Sequence, residues 1–172
     1  MATSRQSHSA ALAVQTTLIE NSVAGDACMV FQMGGSPQAL ESFTEAVEAR
    51  FSECDLKLES SSTSRGSATL GQFRVSIATL DPARVTISTG LQVPAGWVTV
   101  GDLPLFSVRL VTATGEKLIE VKTERMESKK PAQSETYRAS ELNIRVKSRE
   151  SADKLAAAFR EAITICRGQT TR

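Results

Sequence analysis

Phe73-Arg74-Val75-Ser76-Ile77-Ala78 places an apolar residue at every second position. Successive side chains of a strand point to opposite faces, so this spacing predicts a half-buried β-strand with Phe73, Val75 and Ile77 turned inward. Asp81-Pro82-Ala83 then reads as a turn, because proline presets the first turn angle and aspartate caps it. Val85, Ile87 and Thr89 continue the alternation on a returning strand, and residues 97–100 make another short one. Phe106, Val108 and Leu110, a turn at Thr114-Gly115, and Ile119, Val121 and Thr123 predict a hairpin. Residues 126–140 read as a long polar loop, and Leu142, Ile144 and Val146 as the last strand.

Downstream the period changes to that of a helix. Ser148 is placed to cap it, Glu150 and Asp153 complement its dipole, and Ala152, Leu155, Phe159, Ile163 and Cys166 draw one apolar stripe. Gly168 is positioned as the stop. Upstream, Ser36 and Pro37 form a helix start, and Leu40, Phe43, Val47, Phe51 and Cys54 recur at spacings of three and four. That predicts a helix over 37–54, flanked by strands at 28–33 and 55–59. The run Ser60-Ser61-Ser62-Thr63-Ser64-Arg65-Gly66-Ser67 reads as a flexible connection between two layers. A helix over 9–22 is predicted on Ala11, Val14, Leu18 and Asn21, with residues 1–9 disordered.

The expected fold class is α+β, in a single domain over 26–168. Residues 26–59 supply strand–helix–strand, and 73–168 supply a strongly curved antiparallel sheet of about six strands closed by a C-terminal amphipathic helix. Residues 1–25 are expected as a flexible or helical extension and 169–172 as a disordered tail. In element order, and in the helix plugging one end, residues 73–167 resemble a pleckstrin-homology-like barrel. The resemblance implies that fold and no function. A cystatin-like or nuclear-transport-factor-like sheet, with the 37–54 helix across its concave face, is the rival.

Several chemistries lack material. The one histidine, His8, lies in the polar N-terminal segment, so a histidine triad or multi-histidine metal site is excluded by count. Gly34-Gly35 follows a strand but completes no phosphate-binding pattern. Carboxylate pairs such as Glu45 with Glu48, or Glu116 with Glu120, read as solvated faces. Cys28, Cys54 and Cys166 are odd in number and lack paired spacing, so they are expected as small buried hydrophobes, with one pair bridged if the protein is exported. Residues 23–28 depart from a lipoprotein cleavage site at Gly25 and Asp26.

The formal net charge is +1, from 20 basic and 19 acidic residues. That argues against a nucleic-acid partner, since such binding neutralises several phosphates at once. No apolar stretch reaches membrane-span length, and the basic residues do not surround the first predicted hairpin, so membrane contact is not expected. No catalytic residue and no cofactor is expected. The candidate interaction residues are Trp97, which would line a pocket or interface rim, and Arg125, Lys129 and Lys130, clustered on the long loop. The expected role is a non-enzymatic binding or interaction module that contacts a protein partner through a sheet edge or the 126–140 loop. The alternatives are a small-ligand pocket lined by Trp97, Phe106 or Phe31, and a membrane-surface adaptor. Oligomeric state is open; a cytoplasmic location is favoured, with export left open.

Overall fold

A computed structural model describes residues 2–23, 25–33, 40–64, 67–89, 97–99, 106–127, 130–146 and 148–170. Helix α1 (Ala2–Val23) leads into a run of antiparallel strands: β1 (Gly25–Met33), β2 (Leu40–Ser52), β3 (Asp55–Ser64) and β4 (Ser67–Ser76). Two single 3-10 turns, Ile77–Thr79 and Pro82–Arg84, carry the chain to β5 (Thr86–Thr89). Then come β6 (Trp97–Thr99), β7 (Phe106–Val111), β8 (Ile119–Glu127), β9 (Gln133–Ala139), β10 (Glu141–Val146) and helix α2 (Arg149–Thr170). The class is α+β with antiparallel sheets and a C-terminal helix, as the alternation over 73–146 and the stripe over 152–166 require.

The strands form two open sheets rather than one closed barrel. The larger has the order β6-β1-β2-β3-β4-β8-β9, and the smaller the order β10-β7-β5. Two predicted hairpins therefore do not form. β4 and β5 lie in different sheets, because the Asp81 turn redirects the chain instead of folding it back. That turn has the expected chemistry, with the Asp81 carboxylate accepting from Ala83 N–H at 3.0 Å. β7 and β8 are likewise split between sheets. β7 pairs with β10 and β8 with β9, and Ser140 alone separates β9 from β10. The strands thus make one long ribbon, from which residues 112–118 bulge on one arm only. The bulge is closed by the buried Thr112, whose hydroxyl donates to the Glu116 carbonyl at 2.8 Å, and by Gly115 at φ 76°, a conformation glycine adopts without strain.

The helix expected over 37–54 is not there. Residues 40–52 are β2, hydrogen-bonded to β1 on one side and β3 on the other, and Ser36 and Pro37 lie outside the described residues. The reason is an ambiguity of period: a spacing of four is one helical turn and also the same face of a strand. Val47 and Phe51 satisfy both, and the buried Ala49 between them, against exposed Glu48 and Arg50, belongs only to the strand. The serine-rich run is corrected too. Residues 60–64 complete β3 and pair with β2 and β4, so the stretch lies inside a sheet and not between layers.

The core lies at one end of the larger sheet. Inward positions are apolar in the rows containing Leu56 and Val75, and Leu58 and Val121, but Ser60, Gly71 and Thr123 take over in the next row. Phe51 and Phe73 pack against the apolar end. Helix α1 packs on β2 and on α2, and the Glu20 carboxylate accepts from Phe51 N–H at 2.9 Å, satisfying a backbone donor where β1 has ended. This helix starts at Ala2, not at residue 9, and turns Leu12 and Ile19 inward while Val14 and Leu18 face solvent. Its expected stripe is therefore on the wrong side, because residues of both faces are apolar and only contact with α2 selects one.

Helix α2 matches its prediction. Ala152, Leu155, Phe159, Ile163 and Cys166 are all fully buried. The Ser148 hydroxyl accepts from Ser151 N–H at 3.0 Å. Ser148→Ala should therefore lower stability by about 1 kcal/mol, the usual cost of losing a side-chain cap, readable as a shifted denaturant midpoint at unchanged slope. The helix runs through Gly168 to Thr170 instead of stopping, so residues 169 and 170, expected in a disordered tail, are helical. Its C-terminal end is held by a disulfide between Cys166 and Cys54, in the β2–β3 turn, with Cα atoms 5.8 Å apart. Two of the three cysteines are thus bridged, the outcome the sequence left open beside that of small buried hydrophobes. Their separation of 112 residues hides the pairing in a linear reading.

Candidate functional site

The expected long loop at 126–140 is mostly strand. β9 occupies 133–139 as the outermost strand of the larger sheet, paired with β8 from Ile119↔Ala139 to Arg125↔Gln133. Every β9 residue except Ala139 is exposed. Neither face of β9 is covered, so its sequence shows no alternation, and that is why a polar loop was expected there. An outer strand leaves half its N–H and C=O groups without a strand partner, which is the feature that lets another extended chain add to a sheet.

Beside this edge, the solvent face carries a row of charges at directly opposed positions. The register runs Arg50↔Lys57, Lys57↔Arg74, Arg74↔Glu120, Glu120↔Arg138. Like charges placed directly opposite repel, so Arg50, Lys57 and Arg74 need relief. Glu48 supplies it to Arg50 at 2.8 Å, and Glu59 to Lys57 at 2.7 Å, each two residues along its own strand. Glu48 raises the Arg50 pKa, and Lys57 in turn lowers that of Glu59, in each case first through the shared hydrogen bond and then through charge. The equivalent position on β4 is Gln72, whose amide donates to Glu59 at 3.2 Å, while Arg74 makes no close ion pair among the described residues and acts on Glu59 only through charge at longer range. Arg138, at the rim nearest the edge, lies 3.6 Å from Glu120, too long for a hydrogen bond.

Arg50, Lys57, Arg74, Glu120 and Arg138 line an open groove of about 460 Å³, with Leu118 at one end. A second groove of about 370 Å³, lined by Glu59, Ser61, Leu70 and Gln72 among others, continues along the same face. Both are shallow and polar-rimmed, not deep apolar cavities. Phe106 lines neither groove and packs against the core, while the side chains of Trp97 and Phe31 lie outside the described residues.

The residues singled out from sequence do not meet at one place. Trp97 is in β6, opposite Met33 of β1, and β6 and β9 are opposite edges of the sheet, about 29 Å apart at normal strand spacing. Lys129 lies outside the described residues. Arg125 and Lys130 converge on one carboxylate, Glu127, at 2.9 and 2.6 Å at the tip of the β8–β9 hairpin. One carboxylate thus balances one of the two positive charges and draws both side chains to the hairpin tip. The groove residues escaped notice because they are scattered singly over five strands, and no linear spacing announces them.

The hydrogen bond from Lys130, then its charge, then that of Arg125, hold the Glu127 carboxyl below the ordinary glutamate range. A depressed folded pKa means that this contribution to stability is fully present above the unfolded value, about 4.3, and is lost as pH falls through the folded one. Carboxyl chemical shifts of Glu127 should therefore titrate at lower pH than those of an isolated glutamate. Lys130→Gln should move the midpoint back up; an unchanged midpoint would show that the clamp does not form in solution.

Among the described residues no helix is long and apolar enough to cross a membrane, and no group of histidine, cysteine and carboxylate side chains could hold a metal ion. No family model, curated protein or solved structure matches the chain.

Proposed function

We propose that the protein is a non-enzymatic interaction module that takes an extended segment of a partner protein as an additional strand along β9. The observation that carries this reading is the position of β9: an outermost strand, exposed on both faces, in the region where sequence placed the interaction surface. Main-chain hydrogen bonds would supply affinity and the alternating side chains specificity. The charged residues of β9, Glu135 and Arg138, and Pro131 just before it, are features that discourage indiscriminate edge pairing, so a partner must match them. The pleckstrin-homology-like resemblance of residues 73–167 rests on the order of elements along the chain and the closing helix, and the proposed role does not rest on it.

The bridge between Cys54 and Cys166 supports an oxidising compartment as the working location, because such bonds are rare where thiols are kept reduced.

A photo-cross-linking residue in place of Tyr137 should capture a discrete partner from extracts of the source cells. Adjacent residues of β9 aim their N–H groups in opposite directions, so of Thr136→Pro and Tyr137→Pro one removes only an outward donor. That variant should stay folded and lose the partner. Capture that persists in a folded proline variant would count against the edge, and a small metabolite that raises Tm by several degrees with no protein captured would favour the small-ligand alternative.

A further inference from the structure

The side chains that β9 presents define what kind of segment can add to it. Parity separates them: Ser134, Thr136 and Arg138 lie on the groove face, and Gln133, Glu135 and Tyr137 on the core-facing side. On the core-facing side Tyr137 ends a row that runs inward through Val121, Phe73 and Leu58, yet it is 45% exposed because no strand flanks it. Glu135 lies beside Thr123 and has no ion pair among the described residues. Arg138 terminates the charged row, with only the 3.6 Å approach of Glu120 on its inner side. The edge thus offers an uncovered aromatic ring, an unpaired carboxylate two residues before it, and a guanidinium one residue after it on the opposite face.

Resting on the strand-addition reading, we infer that the partner segment is heterologous and carries, in the order of its chain, an acidic residue, an apolar or aromatic residue, a spacer and a basic residue. In an antiparallel added strand these four fall beside Arg138, Tyr137, Thr136 and Glu135. The acid extends the charged row by one strand, the apolar residue covers Tyr137 as the next strand of that row would, and the base pairs with Glu135.

A second copy of this chain does not meet the requirement. Two β9 edges related by a two-fold axis would pair residues of the same face, so their numbers share parity. Arg138 would then sit opposite Ser134, Thr136 or another Arg138, and never opposite Glu135. The charges that complement each other lie on opposite faces of one strand, which selects a foreign sequence over self-pairing.

The test uses the full oxidised chain and four dye-labelled ten-residue peptides in fluorescence anisotropy. One carries Glu-Tyr-Thr-Lys at its centre and a second has the Glu and Lys exchanged. The other two repeat the first with N-methyl groups on alternate residues, in each phase. The first peptide should bind, and the exchanged one about tenfold more weakly, from two lost and two repulsive exposed pairs. One N-methylated phase should abolish binding. Arg138→Glu combined with Glu135→Lys should reverse the preference for the first two peptides. Binding that one N-methylated phase abolishes, but that ignores charge order, would overturn this inference and leave strand addition standing. Binding indifferent to both N-methylated phases, or no binding by any peptide, would overturn strand addition and this inference with it. A dimer that dissociates on Thr136→Pro or Tyr137→Pro would overturn the choice of a foreign segment.

Discussion

Reduction of the Cys54–Cys166 bridge should lower the free energy of unfolding by about 4–5 kcal/mol, the largest single effect expected for this protein. The bond closes a loop of 112 residues, and the entropy of the unfolded chain falls as the logarithm of the loop it is forced to close. The two ends have little else joining them directly: Cys54 lies in a turn and Cys166 in the last turns of α2. Against a typical total of about 5–15 kcal/mol the loss is a large fraction. Denaturant melts with and without reductant would measure it, and Cys54→Ala with Cys166→Ala would repeat the measurement without thiol chemistry. Alkylation of the unfolded, unreduced chain should label one cysteine, Cys28, of the three present. Labelling of all three would show that the bridge does not form.

Phe159→Ala should cost about 3–5 kcal/mol, the range for emptying a large aromatic site in a packed core. Among the described residues Phe159 is the largest fully buried side chain, and it sits midway along α2. Around it the helix reaches α1, both 3-10 turns and β7, and several of its own buried positions are alanines that let those neighbours come close. The outer side of the same helix is tied down as well, since Arg160 donates to the Val85 carbonyl at 2.7 Å, so the helix cannot easily slide to refill the space. The residue lies about 10 Å along the helix from Cys166, far enough for the two losses to add approximately. A Phe159→Ala chain should therefore stay folded while oxidised and unfold on reduction at 37 °C. Calorimetry of the oxidised variant showing a fall in Tm of only a degree or two would mean that the site collapses around the missing ring.

What could be read from the sequence depended on whether burial imposes a period. Ala152, Leu155, Phe159, Ile163 and Cys166 have one buried side and announce a helix. Ile119 and Val121, or Leu142, Ile144 and Val146, have one buried face and announce strands. β2 failed that test because Val47 and Phe51 are four apart, a spacing shared by both structures. β9 failed it because neither of its faces is covered. The serine-rich end of β3 failed because residues 60–64 are held by neighbouring strands and not by a core.

The candidate site was legible only as a region. The 126–140 segment drew attention by its polarity, but of the cluster named there Arg125 and Lys130 share the single carboxylate of Glu127, and Lys129 lies outside the described residues. The row from Arg50 to Arg138 exists only once five strands are in register, since its successive members are as few as seven and as many as 46 positions apart in the chain.

The alternation that begins at Phe73 and the stripe that ends at Cys166 were enough to determine an antiparallel sheet followed by an amphipathic helix, because both patterns are local consequences of one-sided burial. Tertiary structure alone decided which strands pair, where the chain crosses between two sheets, which edge remains open and which two cysteines meet. Those outcomes depend on contacts between residues far apart in the chain, for which no local spacing stands as a proxy.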